Sequence, residues 1–370
     1  MSDHFSGRLG VQQRVLPTYR VPFFDLLAQA CDGGLGLFAG LPRPGEGIAS
    51  ADKLAVANYK LADNLHLFAA SFYICYQKGF ISWLAGWQPD ALIVEANPRY
   101  PATPSALKWM RARGRRVIGW GLGAPPLSGP LAGFRKIRWT QFLRRFDALI
   151  AYSRRGAEEY AALGFPRTRI FVATNAVSPR PLAPPVLRPP TFDLKPVLLF
   201  VGRLQTRKRV DLLLRACAAL SEVEGAGLKP RLVIVGDGPE MTSLVSLAEK
   251  VYPSTEFIGA RHGAELKPYF EQADLFVLPG TGGLAVQQAM AYGLPVIVAK
   301  GDGTQDDLVR DANGWQIPPE DYAALVDTLR TALSDVGRLR RMGKESFRIV
   351  TGEINLEKMV EVFVTALNSL

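Results

Sequence analysis

The second half of this chain exchanges short apolar runs and amphipathic stretches in strict alternation. No other feature limits its fold as much. The runs at 197–201, 231–235, 256–259, 275–278 and 295–298 read as strands, and the first two end at Gly202 and Gly236. Helical spacing fills 209–220, 239–251, 266–272 and 284–292 between them. Continuous apolar strands separated by helices predict a parallel sheet covered on both faces. The first half is less regular but holds the same units at 91–94, 116–119, 148–151 and 170–173. Between the halves, 179–196 is dense in proline, which blocks helix interiors and sheet ladders, so it reads as an extended linker. Two doubly wound domains are expected, facing across a cleft where ligands of such sheets bind.

Composition agrees with a globular protein. The 370 residues are 48% hydrophobic and 21% charged, which excludes a disordered tail, a collagen and a coiled coil. The longest apolar stretch, 65–76, is broken by Gln77 and Lys78, too short to span a bilayer. The first residues lack the plan of a secretory signal. The cysteines (31, 75 and 217) form no CxxC pair. The expectation is a cytoplasmic protein with reduced core cysteines. No clustering of His, Cys and carboxylates suggests a metal site. The net charge of +10 is concentrated: residues 101–150 hold ten Lys/Arg against Asp147 alone. That patch implies an anionic surface or ligand.

Chemistry concentrates at the strand ends. Gly202-Arg203-Leu204 follows the strand at 197–201, and Lys208 opens the next helix. Two cations at one sheet edge suit one anion, each charge-assisted bond contributing roughly 1.5–3 kcal/mol. Gly236-Asp237-Gly238-Pro239 is a second glycine turn. Gly280-Thr281-Gly282-Gly283 leads into a helix at Leu284, whose first N–H groups can hold phosphate. Together with Gln288–Val296 (QAMAYGLPV) and Asn175-Ala-Val177, these motifs resemble the donor domain of retaining GT-B glycosyltransferases of family 4 type, the group 1 glycosyl transferases, over about residues 145–330.

The resemblance implies the GT-B fold and transfer of a sugar, with retention, from a UDP-, GDP- or ADP-linked donor to a glycan or lipid-linked acceptor, with no further cofactor. Its domains would be an acceptor-side domain over 1–178, the linker, a donor domain over 197–350 and a C-terminal helix over 351–370 packing back on the first domain. Arg203 and Lys208 would carry catalysis by stabilising the leaving diphosphate. Gly202, Gly236, Gly238, Gly280, Thr281, Gly282, Gly283, Leu284 and Gln288 would bind the donor, and His262, which follows a strand end in this sequence, is expected near the nucleotide base. Gly280 and Gln288 stand where the family commonly has glutamates, and Leu122 follows Trp120-Gly121 where related proteins often place a histidine. These departures motivate an alternative, a catalytically degenerate binding subunit.

The acceptor side rests on Arg14, Tyr19 and Arg20 after the first strand, with Glu95 and Asn97 after another. His66 is expected in an apolar helix. The segment 134–146 interleaves aromatics with cations, and Phe134, Ile137 and Phe142 are expected on one helical face. Such a helix suits an anionic membrane surface and peripheral attachment. Nucleic acid is not expected, because no recognised module accompanies the patch.

Overall fold

The computed structural model describes residues 4–69, 72–125, 129, 132–192, 195–221 and 229–370. Two compact units result: Met1–Val177 with Leu356–Leu370, and Ser178–Asn355.

In the first unit the strands are β1 (Leu9–Val15), β2 (Leu35–Gly40), β3 (Asn58–Leu61), β4 (Asp63–Leu67), β5 (Ile74–Lys78), β6 (Ala91–Glu95), β7 (Arg116–Gly121), β8 (Ala148–Ala151) and β9 (Ile170–Val172). Seven form one parallel sheet in the order β3-β2-β1-β6-β7-β8-β9. Leu92, Ile93, Val94, Leu149 and Ile150 are wholly buried, as helix-covered strands require. The order reverses between β1 and β6, so the connections leaving their carboxyl ends diverge and open a place for a ligand. The C-terminal helix, Leu356–Asn368, belongs to this unit: Phe363 packs 5.0 Å from Phe23 and 4.9 Å from Trp120.

β4 and β5 form an antiparallel hairpin, with His66 opposite Cys75. His66 therefore lies in a strand, not a helix. The residues from Asp63 to Leu67 alternate between exposed and half-buried, a period of two that a helix cannot satisfy. His66 stacks on Tyr73, and one ring nitrogen lies 2.8 Å from the Tyr73 hydroxyl. The cysteines are free and buried, and burial pushes the Cys31 and Cys217 thiols up to about 12.

The helix Ala132–Leu143 also departs from expectation. Phe142 and Leu143 are buried, whereas Phe134 and Ile137 are 59% and 57% exposed. Phe142 lies two turns on and rotated inward, where it joins Phe146 and Trp139 in the core.

The second unit holds β10 (Val197–Val201), β11 (Arg231–Val235), β12 (Glu256–Gly259), β13 (Leu275–Leu278), β14 (Val296–Ala299) and β15 (Gly314–Ile317). They pair in parallel in the order β12-β11-β10-β13-β14-β15, reversing between β10 and β13. Among the described residues, 173–196 carries no helix or strand. Arg188 fastens this segment to the amino edge of the sheet, donating to the carbonyls of Phe270, Ala273, Tyr292 and Gly293. Burial, with Arg340 nearby, lowers its guanidinium to about 10.

Candidate active site

Three turns meet at the carboxyl edge of the second sheet, and glycines permit their contact. The turn after β10 lies against the turn after β11: Gly202 N–H donates to Val235 O at 3.0 Å and Leu204 N–H to Asp237 O at 2.9 Å. A Cβ on Gly236 would fall 1.9 Å from Gly202 O, and one on Gly238 would fall 2.2 Å from Leu204 O. Only glycine permits backbones to approach so closely. Both donor-set glycines are thus fixed by packing between turns.

The third turn follows β13. Thr206–Lys208 forms a short 3-10 helix after β10, and Arg207 O accepts the Thr281 N–H at 3.0 Å. A Cβ on Gly280 would lie 2.2 Å from Arg207 O and 2.4 Å from the Lys208 carbonyl carbon. The two loops flanking the point of strand reversal are therefore joined backbone to backbone. Lys208 completes the join: its Nζ donates to Thr281 O at 2.8 Å and Gly282 O at 3.0 Å. Its side chain is buried, and burial, with Arg207 nearby, pulls the ammonium down to about 8.

Gly282 adopts φ +71°, and Gly283 is the N-cap of the helix Leu284–Ala291 with no side-chain cap. Val286 N–H turns back to Gly283 O at 3.2 Å, and the Leu284 and Ala285 N–H groups before it have no acceptor among the described residues. An ammonium and a helix start together can hold a dianion. Thr281 is exposed, and Leu284 is 37% exposed. Gln288 is half-buried on the same helix, whereas its neighbour Gln287 is buried and donates to Ile354 O at 2.9 Å. Arg203 is exposed at the carboxyl end of β10. His262 lies beyond β12, at the edge of the sheet, in a capping box with Glu265. Asp302 folds onto its own turn, accepting from Thr304 N at 3.1 Å and Oγ1 at 2.6 Å.

In the first unit the candidate residues divide. Arg14 turns inward: its Nη1 donates to Glu46 at 2.7 Å and its N–H to Glu95 Oε1 at 2.5 Å. Glu95 also engages Tyr100, and burial, its largest influence, raises its carboxyl above the usual range. These two residues tie β1 to β6. Asn97 Oδ1 accepts the Arg99 N–H at 3.1 Å, closing a local turn. Tyr19 is 41% exposed. Arg20 is buried among the Trp120, Tyr152 and Phe23 rings. The sequence reading missed Tyr152 and the role of Trp120 here. The available signal was an aromatic residue at the carboxyl end of a buried strand in each case.

The family model described as "Glycosyl transferases group 1" matches residues 188–348, and "Glycosyl transferase 4-like domain" matches 10–176. A GDP-mannose-dependent alpha-mannosyltransferase of Mycobacterium tuberculosis is 34% identical over 191 residues, 50% of this chain and 47% of that protein. The chain spans about half the length of the curated relatives it matches. A crystal structure of Anabaena HepE in complex with UDP superposes with a TM-score of 0.67 at 15% identity, covering 98% of this chain and 100% of that one. Sucrose-phosphate synthase from Thermosynechococcus elongatus gives 0.65 at 18% identity, covering 95% and 96%. By both halves of its sequence and by its fold, the chain belongs to the group 1, family 4-type glycosyltransferases of GT-B fold.

Proposed function

We propose that the protein transfers a sugar, with retention of anomeric configuration, from a nucleoside diphosphate donor to a glycan or lipid-linked acceptor. The observation that carries this reading is the junction of Lys208 with the 280–283 loop at the strand-reversal point of the second sheet. The diphosphate would displace the Thr281 and Gly282 carbonyls from Nζ and take up the N–H groups at Leu284. Arg203 would reach the same phosphates from the end of β10. Their positive charge would stabilise the leaving nucleotide as its bond to the sugar breaks. The departing phosphate can accept the acceptor's proton, so Leu122 in place of a histidine is compatible with transfer. The relatives' names, one a GDP-mannose enzyme, and the UDP in HepE support a nucleotide-linked donor.

Incubation with UDP-, GDP- and ADP-glucose and with GDP-mannose tests the reading. Slow release of the donor sugar, with its α-anomer seen first by proton NMR, is expected for one of them. Gln288 in place of a charged ribose partner favours a second reading, a binding subunit without transfer. That reading gains if a nucleotide binds but no donor is consumed over many hours.

Lys208 also sets a pH dependence. The folded ammonium titrates near 8 and the unfolded one near 10.5. Between those values the unfolded chain holds more protons, so this group makes the fold more stable as pH rises through the window. Nucleotide binding has the opposite sign, because a bound diphosphate favours the ammonium. Affinity should fall above about pH 8, with proton uptake on binding. Calorimetry at pH 8.5 in buffers of different ionisation enthalpy measures that uptake, and no buffer dependence would refute it.

Peripheral membrane attachment is part of the same proposal. Residues 133–138 are exposed, with Phe134 and Ile137 among Arg135, Lys136 and Arg138. Each cation near an anionic leaflet contributes about 1 kcal/mol. Reversing these three cations to glutamate should lower sedimentation with phosphatidylglycerol vesicles roughly 100-fold or more in affinity. Unchanged sedimentation would assign the patch elsewhere.

A further inference from the structure

Arg20 is 6% exposed, in the segment between β1 and the helix Val21–Gln29. Its Cζ lies 5.1 Å from the Trp120 ring, 5.4 Å from Tyr152, 5.5 Å from Tyr19 and 5.8 Å from Phe23. Rings cover the guanidinium's faces, but cation–π contact does not satisfy the N–H donors in its plane. Among the described residues, its hydrogen-bond partner is the Met359 sulfur, 3.8 Å from Nη1, a weak acceptor. No carboxylate of the described residues pairs with it within ion-pair distance. Glu95 is close enough to influence Tyr152, yet its oxygens are taken by the Arg14 N–H and Tyr100. Trp120 Nε1 is buried without an acceptor among the described residues. The box therefore holds an unpartnered indole N–H and a positive charge that no carboxylate of the described residues pairs with. A buried charge is costly unless paired, and leaving one unpaired needs compensation.

The site's position narrows its occupant. Trp120 and Tyr152 stand at the carboxyl ends of β7 and β8, and Glu95 ends β6. Ligands of doubly wound sheets bind at that edge. We infer that Arg20 receives an oxyanion of the acceptor, a carboxylate or phosphate, held against the Trp120–Tyr152 floor. The inference rests on the proposed transfer reaction and adds to it that the acceptor is acidic. A planar guanidinium matches either group through two parallel hydrogen bonds. Arg20 is then a specificity-determining residue, distinct from the donor-binding turns of the second unit.

The test titrates the full chain with glucuronate, inorganic phosphate and glucose by calorimetry. The Trp120 indole N–H resonance, assigned with Trp120→Phe, provides the local readout. Expected is binding of glucuronate or phosphate that shifts this resonance, and none by glucose. Glucuronate alone would indicate a sugar acid, and phosphate alone a phosphate-linked acceptor; either supports the inference. Arg20→Gln should weaken that binding about tenfold or more, with partial recovery in Arg20→Lys. Anion binding that leaves the indole resonance unmoved, equal binding of glucose, or unchanged binding in a folded Arg20→Gln overturns it. If Arg20→Gln fails to fold, the wild-type comparison of glucuronate, phosphate and glucose decides alone. Nucleoside diphosphate titration of the same sample separates the two proposals. Anion binding at Trp120 without nucleotide binding would remove the transfer reading and leave the Arg20 site standing.

Discussion

Lys208→Met should lower affinity for the bound nucleoside diphosphate roughly 10- to 150-fold, the equivalent of one charge-assisted contact of 1.5–3 kcal/mol. Loss of turnover should be at least as large, because the leaving group's charge grows in the transition state. The substitution also removes the bonds to Thr281 O and Gly282 O, so loop anchorage must be separated from phosphate contact. Methionine has nearly the same length and no charge to desolvate in this buried position. The melting temperature should therefore change by no more than a few degrees while affinity collapses. Calorimetry beside a thermal melt measures both. Nucleotide affinity equal to wild type would remove Lys208 from the site.

The second large effect is expected at Gly280. The resemblance places a glutamate there, and an engineer seeking more activity would restore it. The structure forbids this, because any Cβ at that position meets Arg207 O at 2.2 Å and Lys208 backbone atoms at 2.4 and 2.5 Å. These are backbone atoms and cannot swing aside. Gly280→Glu should destabilise the second unit by about 1–3 kcal/mol or more, several degrees of melting temperature for a unit of this size. Nucleotide binding should fall with it, since the displaced Thr206–Lys208 turn carries the ammonium. Gly280→Ala separates packing from charge, and most of the loss should already appear there. A glutamate variant as stable as wild type, with tighter donor binding, would show that the loop can open.

The second unit was readable because its strands are buried on both faces and appear as unbroken apolar runs closed by glycine. The first was harder for physical reasons. β1 reads LGVQQRV, and its Gln12 is buried in a polar network with Gln77 from the hairpin. A buried polar pair breaks the apolar pattern that marks a strand. Leu65, Leu67 and Tyr76 are exposed on the hairpin, so its hydrophobic residues mislead a period search. The glycine turns and Lys208 could be named from spacing. Their joining could not, because it depends on backbone contacts between residues far apart in sequence, from Gly202 to Val235 and from Arg207 to Thr281. The same holds for Arg14 and Glu95, which were legible as strand-end polar residues but prove to bind each other. Arg20 was visible as a cation in an aromatic segment. That no carboxylate of the described residues pairs with it became visible only once Trp120, Tyr152 and Met359 closed around it.

The central claim is that the Lys208–glycine loop junction is a diphosphate site. Isothermal titration of the wild-type chain with UDP, GDP and ADP at pH 7 tests it most directly. One of the three should bind with a stoichiometry of about one, more tightly than its monophosphate, and addition of Lys208→Met should abolish the diphosphate's advantage. No heat from any of the three, or equal affinity for mono- and diphosphate, would contradict the account.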